Sequence, residues 1–359
     1  MMGKWLTRRR AVARFTSWLG ASPPLGGQQL AGEPPGRIAP MDELVNTLEF
    51  GAMAERQLGS ATFALIAGSD RRAFDRMTLR PRMMVNTLSL DLTTELFGEK
   101  MFAPILVGPV SDQRRFHPEG ELATVQGASA AKAVVVISSR SSCPLQQIVA
   151  QSQTTLWYQV YPEPDMRAVR THIEKAVDLG CKAVCITVGA PYPPAEPENP
   201  SELPLMGNAG LDWSAIDQLR QALHVPVLLK GIMSPEEART AVERGISGIV
   251  VSDHGGLVVS GLAAPIEMLP SIAEAVGGKA PILVDGGFRR GTDVLKGLAL
   301  GAQAILLGRP PMWGLAAYGA DGVQTLLKLL QAELARDMAM CGCVTVRDIN
   351  RNLVAIHRR

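Results

Sequence analysis

The chain has 359 residues, enough for one large domain or two ordinary ones, and hydrophobic residues make up 47% of it against 19% charged residues. This composition, with 35 glycines and 25 prolines, is typical of a well-buried globular protein with many turns and excludes a disordered or fibrous one. Because the net charge is only +2, we expect no nucleic-acid partner for the folded part.

Residues 1–40 differ from the rest of the chain, and we predict that they form a disordered or targeting-like tail ahead of one domain over residues 41–359. Residues 7–12 resemble a twin-arginine export signal, but Arg14 interrupts the apolar region that follows them. We therefore predict a cytoplasmic protein, with export as the alternative. No stretch reaches the roughly 18 apolar residues that a membrane span needs.

The five cysteines are too few for a disulfide framework, and they lack the pairing with histidines that is typical of metal sites. They are Cys143, Cys181, Cys185, Cys341 and Cys343. We expect reduced and mostly buried thiols, because a bridge between Cys341 and Cys343 would be strained. The sequence predicts no bound metal.

Two helical patterns open the predicted domain. From residue 41 onwards Leu44, Leu48, Ala52 and Met53 recur on one helical face, and a second pattern covers residues 58–67. We expect both helices to pack ahead of the main domain. Residues 80–85 and 88–92 are then predicted to be short strands or extended links before Gly98.

Eight short apolar segments follow, separated by helical patterns. They cover residues 105–107, 134–137, 156–160, 183–187, 227–230, 248–252, 282–285 and 304–308. The helix predicted for residues 234–244 begins with a capping serine, a proline and acidic residues that suit the helix dipole. This alternation predicts a (β/α)8 TIM barrel with an N-terminal helical segment, the barrel needing roughly 250 residues. An open doubly wound sheet is the alternative, but no Gly-x-Gly-x-x-Gly motif follows an early strand.

Polar residues lie at or just beyond the ends of the predicted strands. In a barrel these ends share one mouth, so their side chains converge. The residues are Ser111, Ser138, Gln159, Tyr161, Thr187, Lys230, Ser252, His254, Asp285, Gly308 and Arg309. One such residue is commonly a satisfied rim residue, whereas a whole ring indicates a site. His254, which two glycines follow, is the candidate catalytic residue, with a structural cap as the alternative.

The loops after the seventh and eighth strands favour a phosphate site. Residues 285–291 and 308–310 combine glycines with arginines, and backbone amides and guanidinium groups can hold a dianion there. The alternative is a pair of glycine turns with solvated arginines. Lys230 follows an apolar strand and has no obvious anionic partner in the sequence, so a ligand that develops negative charge, such as a flavin, would stabilise it. The irregular connection over residues 189–212 contains six prolines and is either a lid over the site or a tolerated insertion.

These motifs resemble the FMN-dependent α-hydroxy acid oxidase and dehydrogenase family, which includes glycolate oxidase, lactate oxidase and mandelate dehydrogenase. The resemblance spans most of residues 41–350 and rests on residues 116–121, 230–231, 252–256, 285–294, 298–302 and 308–310. It implies an FMN-dependent oxidoreductase that acts on a small-molecule substrate and assembles as a homo-oligomer, namely a tetramer.

The resemblance also implies roles for individual residues. His254 would take a proton from the substrate while a hydride equivalent passes to flavin N5, with Tyr161 and Lys230 completing the catalytic set. FMN would be bound by Pro109, Val110, Ser111, Ser138, Gln159, Thr187, Lys230, Ser252, His254, Gly255, Asp285, Gly287, Arg289, Gly308 and Arg309. Among these, Gly287, Arg289, Gly308 and Arg309 would hold the phosphate and Asp285 the ribityl chain.

The chain departs from the family's pattern where the substrate would bind. Three residues after His254 the family has an arginine, and this chain has Leu257. A family tyrosine in the N-terminal helices is replaced by Ala64, and an aspartate two residues after Thr187 is replaced by Gly189. Glu196 stands near the place of a loop arginine, and Arg140 replaces a tryptophan shortly after Ser138. An arginine-to-leucine change removes a bidentate carboxylate contact, and a missing aspartate makes His254 a weaker base. We therefore expect an atypical substrate, with Arg140 and Tyr161 as its contacts. The alternative is a flavin-binding protein with lost or strongly reduced turnover.

Overall fold

A computed structural model describes residues 37–68, 71–163, 165–189, 212–255 and 263–357. The strands within these residues are β1 (Met77–Leu79), β2 (Thr94–Leu96), β3 (Glu99–Met101), β4 (Ile105–Val107), β5 (Val135–Ser138), β6 (Leu156–Val160), β7 (Val184–Thr187), β8 (Val227–Ile232), β9 (Gly248–Val251), β10 (Ile282–Val284), β11 (Ala304–Leu307) and β12 (Val354–Ile356). Strands β4 to β11 are parallel and close into a barrel, which confirms the predicted TIM barrel. Every barrel strand begins within one residue of its predicted start.

Helices separate the barrel strands. The helices of the described residues are α1 (Thr47–Leu58), α2 (Ser60–Ala64), α3 (Arg72–Asp75), α4 (Glu121–Ala130), α5 (Leu145–Gln151), α6 (Met166–Asp178), α7 (Trp213–Ala222), α8 (Pro235–Glu243), α9 (Pro265–Val276), α10 (Gly291–Ala299) and α11 (Arg309–Met340). The predicted serine cap is confirmed, because the Ser234 side chain accepts a hydrogen bond from the Glu237 amide at the start of α8. Helix α11 breaks at Tyr318 and Gly319, where the backbone leaves helical geometry.

Side chains fill the barrel interior. Buried residues from all eight barrel strands, among them Trp157 of β6 and Leu228 of β8, pack into one apolar cluster. A hairpin of β2 and β3 packs against the same cluster, because Phe97 at its turn lies 5.6 Å from the Trp157 ring. Phe97 and Gly98 both have positive φ, which matches the tight turn that joins twisted antiparallel strands. The opposite, C-terminal mouth is the end at which the polar ring was predicted.

The N-terminal helix forms, and the predicted apolar face is only partly buried, because Leu44 and Met53 are buried whereas Leu48 and Ala52 are exposed. Leu48 is 46% exposed, whereas Phe50, Met53 and Ala54 are buried in α1. Thr47 decides this orientation, since its hydroxyl is buried and donates to the backbone carbonyl of Arg289 next to the barrel mouth. The helix therefore supports one of the loops of the site.

A non-local strand pair closes the domain outside the barrel. Strand β1 pairs antiparallel with β12, so residues near both ends of the domain meet. Neither strand was predicted. Residues 80–92 contain no strand and run as an extended link with a single bridge between Asp91 and Thr345, which agrees with the second of the two predictions for this segment.

All five cysteines are free and buried, as predicted. No helix of the described residues is long and apolar enough to cross a membrane. The twin-arginine-like motif and residues 190–211 of the proline-rich connection lie outside the described residues, so both remain predictions. Residues 37–40 of the predicted tail are described, and Ala39 is buried with its carbonyl accepting a hydrogen bond from Tyr318.

Candidate active site

The first half of the barrel presents hydroxyl and amide groups at its C-terminal mouth. Ser111 and Ser138 lie 3.1 Å apart between their hydroxyl oxygens, and Gln159 donates to the Thr187 hydroxyl at 2.7 Å. Ser138, Gln159 and Thr187 are all at most 3% exposed. Pro109 and Val110, in the loop after β4, are partly exposed, and Val110 lies beside Gly308 of the last loop. These residues therefore converge as predicted.

Lys230 at the end of β8 has an anionic partner, contrary to the expectation from the sequence. Its ammonium group lies 2.8 Å from Asp285 Oδ2 and donates to the Ser252 hydroxyl, also at 2.8 Å. Burial alone would lower the pKa of Lys230, but the charge and hydrogen bond of Asp285, with smaller contributions from Tyr161 and Cys185, outweigh burial and raise it. The cation is therefore compensated by the protein itself, and its charge does not by itself require an anionic ligand.

His254 follows β9 in a strained backbone conformation, with φ of +54°. Its amide donates to the Ser252 hydroxyl at 3.2 Å, and its Nε2 lies 2.9 Å from the Val188 carbonyl oxygen. Burial and the nearby charge of Lys230 lower the pKa of His254 to about 4, against a smaller opposing effect of Asp285. The imidazole is therefore neutral near pH 7, as a general base must be. Histidine is one of the non-glycine residues that tolerate this backbone region, and backbone strain of this kind is common at functional sites.

Two arginines line the mouth beside the loops of β10 and β11. Arg289 is 4% exposed, stacks on the Trp313 ring at 4.7 Å and donates to the Phe288 carbonyl. Arg309 donates to the Gly255 carbonyl at 3.0 Å. Burial, Arg309 and Arg71 lower the pKa of Arg289 to about 9, so the cations are close enough to repel one another. An anion at this position would relieve that repulsion.

Two residues of this cationic region were missed by sequence reasoning. Asp293 accepts hydrogen bonds from the amides of Arg289 and Arg290 and from the Arg71 guanidinium, so it shapes the loop before α10. Its place three residues into a helix after a glycine-rich loop is a recognisable capping signal. Arg71 reaches the site from the segment before α3, and no local pattern marks it.

Arg140 and Tyr161, the predicted substrate contacts, are neighbours. The Arg140 guanidinium lies over the Tyr161 ring at 4.4 Å from its centroid, which is a cation–π arrangement. The Arg140 amide donates to the Ser138 hydroxyl, so the backbone here is tied to the polar ring. Ala64 ends α2 with an exposed side chain, and Leu257 and Glu196 lie outside the described residues.

Three buried polar atoms at this mouth have no partner among the described residues. They are Gln159 Oε1, Asp285 Oδ1 and Arg289 Nη2. Unsatisfied buried polar atoms cost about 1–3 kcal/mol each, so a bound group that completes them is favoured. Gln159 can accept from a ring N–H, Asp285 from a hydroxyl, and Arg289 can donate to a phosphate. FMN carries all three groups, so the residues present fit it.

Comparisons with known proteins give one consistent result. The sequence pattern of the family described as FMN-dependent dehydrogenase matches residues 59–205 and 195–356. A peroxisomal (S)-2-hydroxyacid oxidase of Arabidopsis thaliana is 35% identical, with 88% of this chain and 97% of the relative covered. An L-lactate oxidase of Nostoc sp. is 36% identical, with 86% and 98% covered.

Solved structures of mandelate oxidase share the fold. One has a TM-score of 0.82 at 36% identity, covering 88% of this chain and 100% of that chain. An arginine-to-leucine variant of mandelate oxidase, solved with 2-hydroxy-phenylacetamide, has a TM-score of 0.80 at 37% identity with the same coverage.

Proposed function

The chain belongs to the FMN-dependent dehydrogenase family and is an FMN-dependent oxidoreductase of the 2-hydroxy acid oxidase type, and from that premise we propose that it oxidises an atypical substrate. One observation carries the proposal. The polar ring and the cationic loops that suit the flavin are present, while the arginine that the family uses for the substrate carboxylate is replaced by Leu257. The substrate class is an alcohol, an amine or a hydroxy acid with weak dependence on carboxylate recognition.

In this proposal the polar residues at the strand ends bind the flavin ring system, and the loops after β10 and β11, which contain glycines and arginines, bind the phosphate. Ser111, Ser138, Gln159, Thr187 and Lys230 contact the polar edge of the ring system, with Pro109, Val110, Ser252, His254 and Gly255 around it. Gly287, Arg289, Gly308 and Arg309 hold the phosphate, and Asp285 accepts from the ribityl chain. When bound, FMN supplies the hydride acceptor. Lys230 stays cationic because Asp285 pairs with it, so it can stabilise negative charge on the ring edge.

His254 is the general base of the proposed reaction. Its imidazole is neutral at physiological pH, because burial and Lys230 lower its pKa to about 4, and it can therefore accept the proton of the substrate. Tyr161 donates a hydrogen bond to the substrate, and Arg140, stacked on Tyr161, supplies the remaining polar contact. A neutral 2-hydroxy amide is a reasonable probe, because a mandelate oxidase variant that lacks an arginine was solved with one.

Anaerobic reduction of the flavin tests the proposal. The FMN-loaded protein is mixed without oxygen with a panel of 2-hydroxy acids, their neutral amides, amines and alcohols, and absorbance near the flavin maximum is followed. We expect bleaching by an amide, amine or alcohol at concentrations at which simple 2-hydroxy acids have little effect. Efficient bleaching by glycolate or lactate would contradict the atypical substrate. If a chemical reductant bleaches the flavin but no compound of the panel does, the result would favour the second candidate, a flavin-binding protein without turnover. The glycine at position 189, where the family has an aspartate, supports this candidate.

We also propose that the protein is a homo-tetramer, as the resemblance implies. Met83, Met84 and Leu88, in the link between β1 and β2, are 69%, 99% and 93% exposed, which is unusual for apolar side chains in a lone subunit. Sedimentation analysis of the FMN-loaded protein should give the mass of four chains, and charged residues at Met84 and Leu88 should lower it. A monomer at micromolar concentration would contradict this assembly.

A further inference from the structure

The backbone carbonyl of Val188 lies where a hydrogen-bonding group would orient the His254 ring. Its oxygen lies 2.9 Å from His254 Nε2, and Val188 directly precedes Gly189, where the family's pattern has an aspartate. A carbonyl oxygen only accepts hydrogen bonds, so the ring nitrogen that faces it must carry the proton. The other ring nitrogen, Nδ1, is then the one without a proton in neutral imidazole.

The surrounding backbone keeps this carbonyl in place. The Val188 amide donates to the Lys230 carbonyl at 2.8 Å, which ties the end of β7 to β8. Next in β8 is Gly231, with φ of +116°, where the register with β9 shifts. A Cβ at this glycine would lie 2.1 Å from the Val188 oxygen and 2.7 Å from His254 Nε2, so only glycine lets the two groups meet.

We propose that the Val188 carbonyl replaces the family's carboxylate as the group that orients His254, and that Nδ1 is the atom that accepts the substrate proton. The inference rests on the proposed function, in which His254 is the base. It makes Val188 and Gly231 positioning residues, which act on the substrate only through the histidine. Because a carbonyl carries no net charge, it stabilises an imidazolium less than a carboxylate would.

The charges around the His254 ring are consistent with a neutral carbonyl in place of a carboxylate. Lys230 of β8 opposes protonation, Asp285 after β10 favours it, and Arg309 of α11 donates to the carbonyl of the neighbouring Gly255. Burial and Lys230 prevail and lower the pKa of His254 to about 4. A carboxylate beside the ring would shift this balance towards the protonated form.

Nitrogen NMR of histidine-labelled, FMN-loaded protein tests the tautomer directly. The chain has five histidines, and the His254→Asn variant identifies the signals of His254 by their loss. At pH 7 we expect Nε2 to give the shift of a protonated nitrogen and Nδ1 that of an unprotonated one. The opposite tautomer, or an averaged pair of shifts, would overturn the proposal.

Two substitutions of Gly189 test the role of charge. Among the described residues, a Cβ there would meet nothing nearer than the Gly231 carbonyl at 4.0 Å, and its φ of +68° is one that Asp and Asn tolerate. We expect Gly189→Asp to raise the pKa of His254 by one unit or more and the isosteric Gly189→Asn to change it much less. Equal shifts in both variants would contradict the proposal.

These measurements do not require turnover, so they separate the two proposals. The expected tautomer in a protein whose flavin no substrate reduces would leave the inference on ring orientation intact and contradict the proposed function. The opposite tautomer in an active enzyme would contradict the inference on ring orientation and leave the proposed function intact. Flavin absorbance of each variant shows whether the cofactor is still bound.

Discussion

Lys230 and Asp285 form a buried ion pair, and removing one partner should cost far more than removing a surface charge. Asp285→Asn leaves the Lys230 ammonium without its counter-ion at 7% exposure, and we expect a loss of about 3–5 kcal/mol in the free energy of unfolding. Urea unfolding of the FMN-free protein measures it. The Glu174→Gln variant, which breaks the exposed pair with Arg170, is the matched control and should cost less than about 1 kcal/mol.

Arg140 should affect substrate binding more than the chemical step. A hydrogen bond from a charged group contributes about 1.5–3 kcal/mol, so Arg140→Ala should raise KM for the substrate found by flavin bleaching roughly 10- to 100-fold. The value of kcat should change much less. Arg170→Ala, which removes an exposed arginine of α6, is the control, and an unchanged KM in Arg140→Ala would exclude the contact.

The sequence predicts which residues surround the mouth but not how they pair. Strand ends converge in any parallel barrel, so Gln159, Thr187 and Lys230 could be placed together without coordinates. The Lys230–Asp285 pair spans two strands that are not neighbours, and its formation depends on strand register, which no local pattern encodes. The contact of His254 with the Val188 carbonyl could not be predicted from the sequence either, because every residue has a backbone carbonyl and the residue type does not show which one forms the contact.

Helices α4 and α11 pack so closely that one position tolerates only glycine. A Cβ at Gly127 of α4 would lie 2.3 Å from the Ala320 carbonyl oxygen and 2.8 Å from the Val323 Cβ. We expect Gly127→Ala to lower the free energy of unfolding by about 1–3 kcal/mol or more, despite the better helix propensity of alanine. Gly51→Ala in α1 is the control, because its Cβ would be 3.4 Å from Trp313, an ordinary contact distance, and the variant should be as stable as the wild type or slightly more stable.

The predictability of each element follows from how it is buried. Barrel strands are covered on both faces, so they appear in the sequence as continuous apolar runs and were all predicted. Strands β1 and β12 have three residues each and pair across most of the chain. No turn joins them directly, so no local sequence signal predicts the pair. The buried face of α1 was only partly predicted, because the Thr47 hydrogen bond to the Arg289 carbonyl, and not apolar periodicity alone, sets its orientation.

The low pKa of His254 should appear in the stability of the whole molecule. The unfolded chain binds a proton at this histidine near pH 6.5, whereas the folded protein does so only near pH 4. Between these values the unfolded state holds more protons, so stability falls as the pH falls from 6.5 to 4 and the loss is complete below that window. At about 1.4 kcal/mol per pKa unit, His254 accounts for a loss of roughly 3 kcal/mol.

The His254→Asn variant isolates this contribution, since asparagine tolerates the positive φ of this position. We expect its free energy of unfolding to decline less between pH 6.5 and pH 4 than that of the wild type, by about 3 kcal/mol. Denaturant unfolding of the FMN-free proteins measures it, because the flavin phosphate would itself titrate in this range. His172→Asn, on the exposed surface of α6, reports what removal of any histidine does, and parallel curves for wild type and His254→Asn would show that the folded protein does not hold this imidazole neutral.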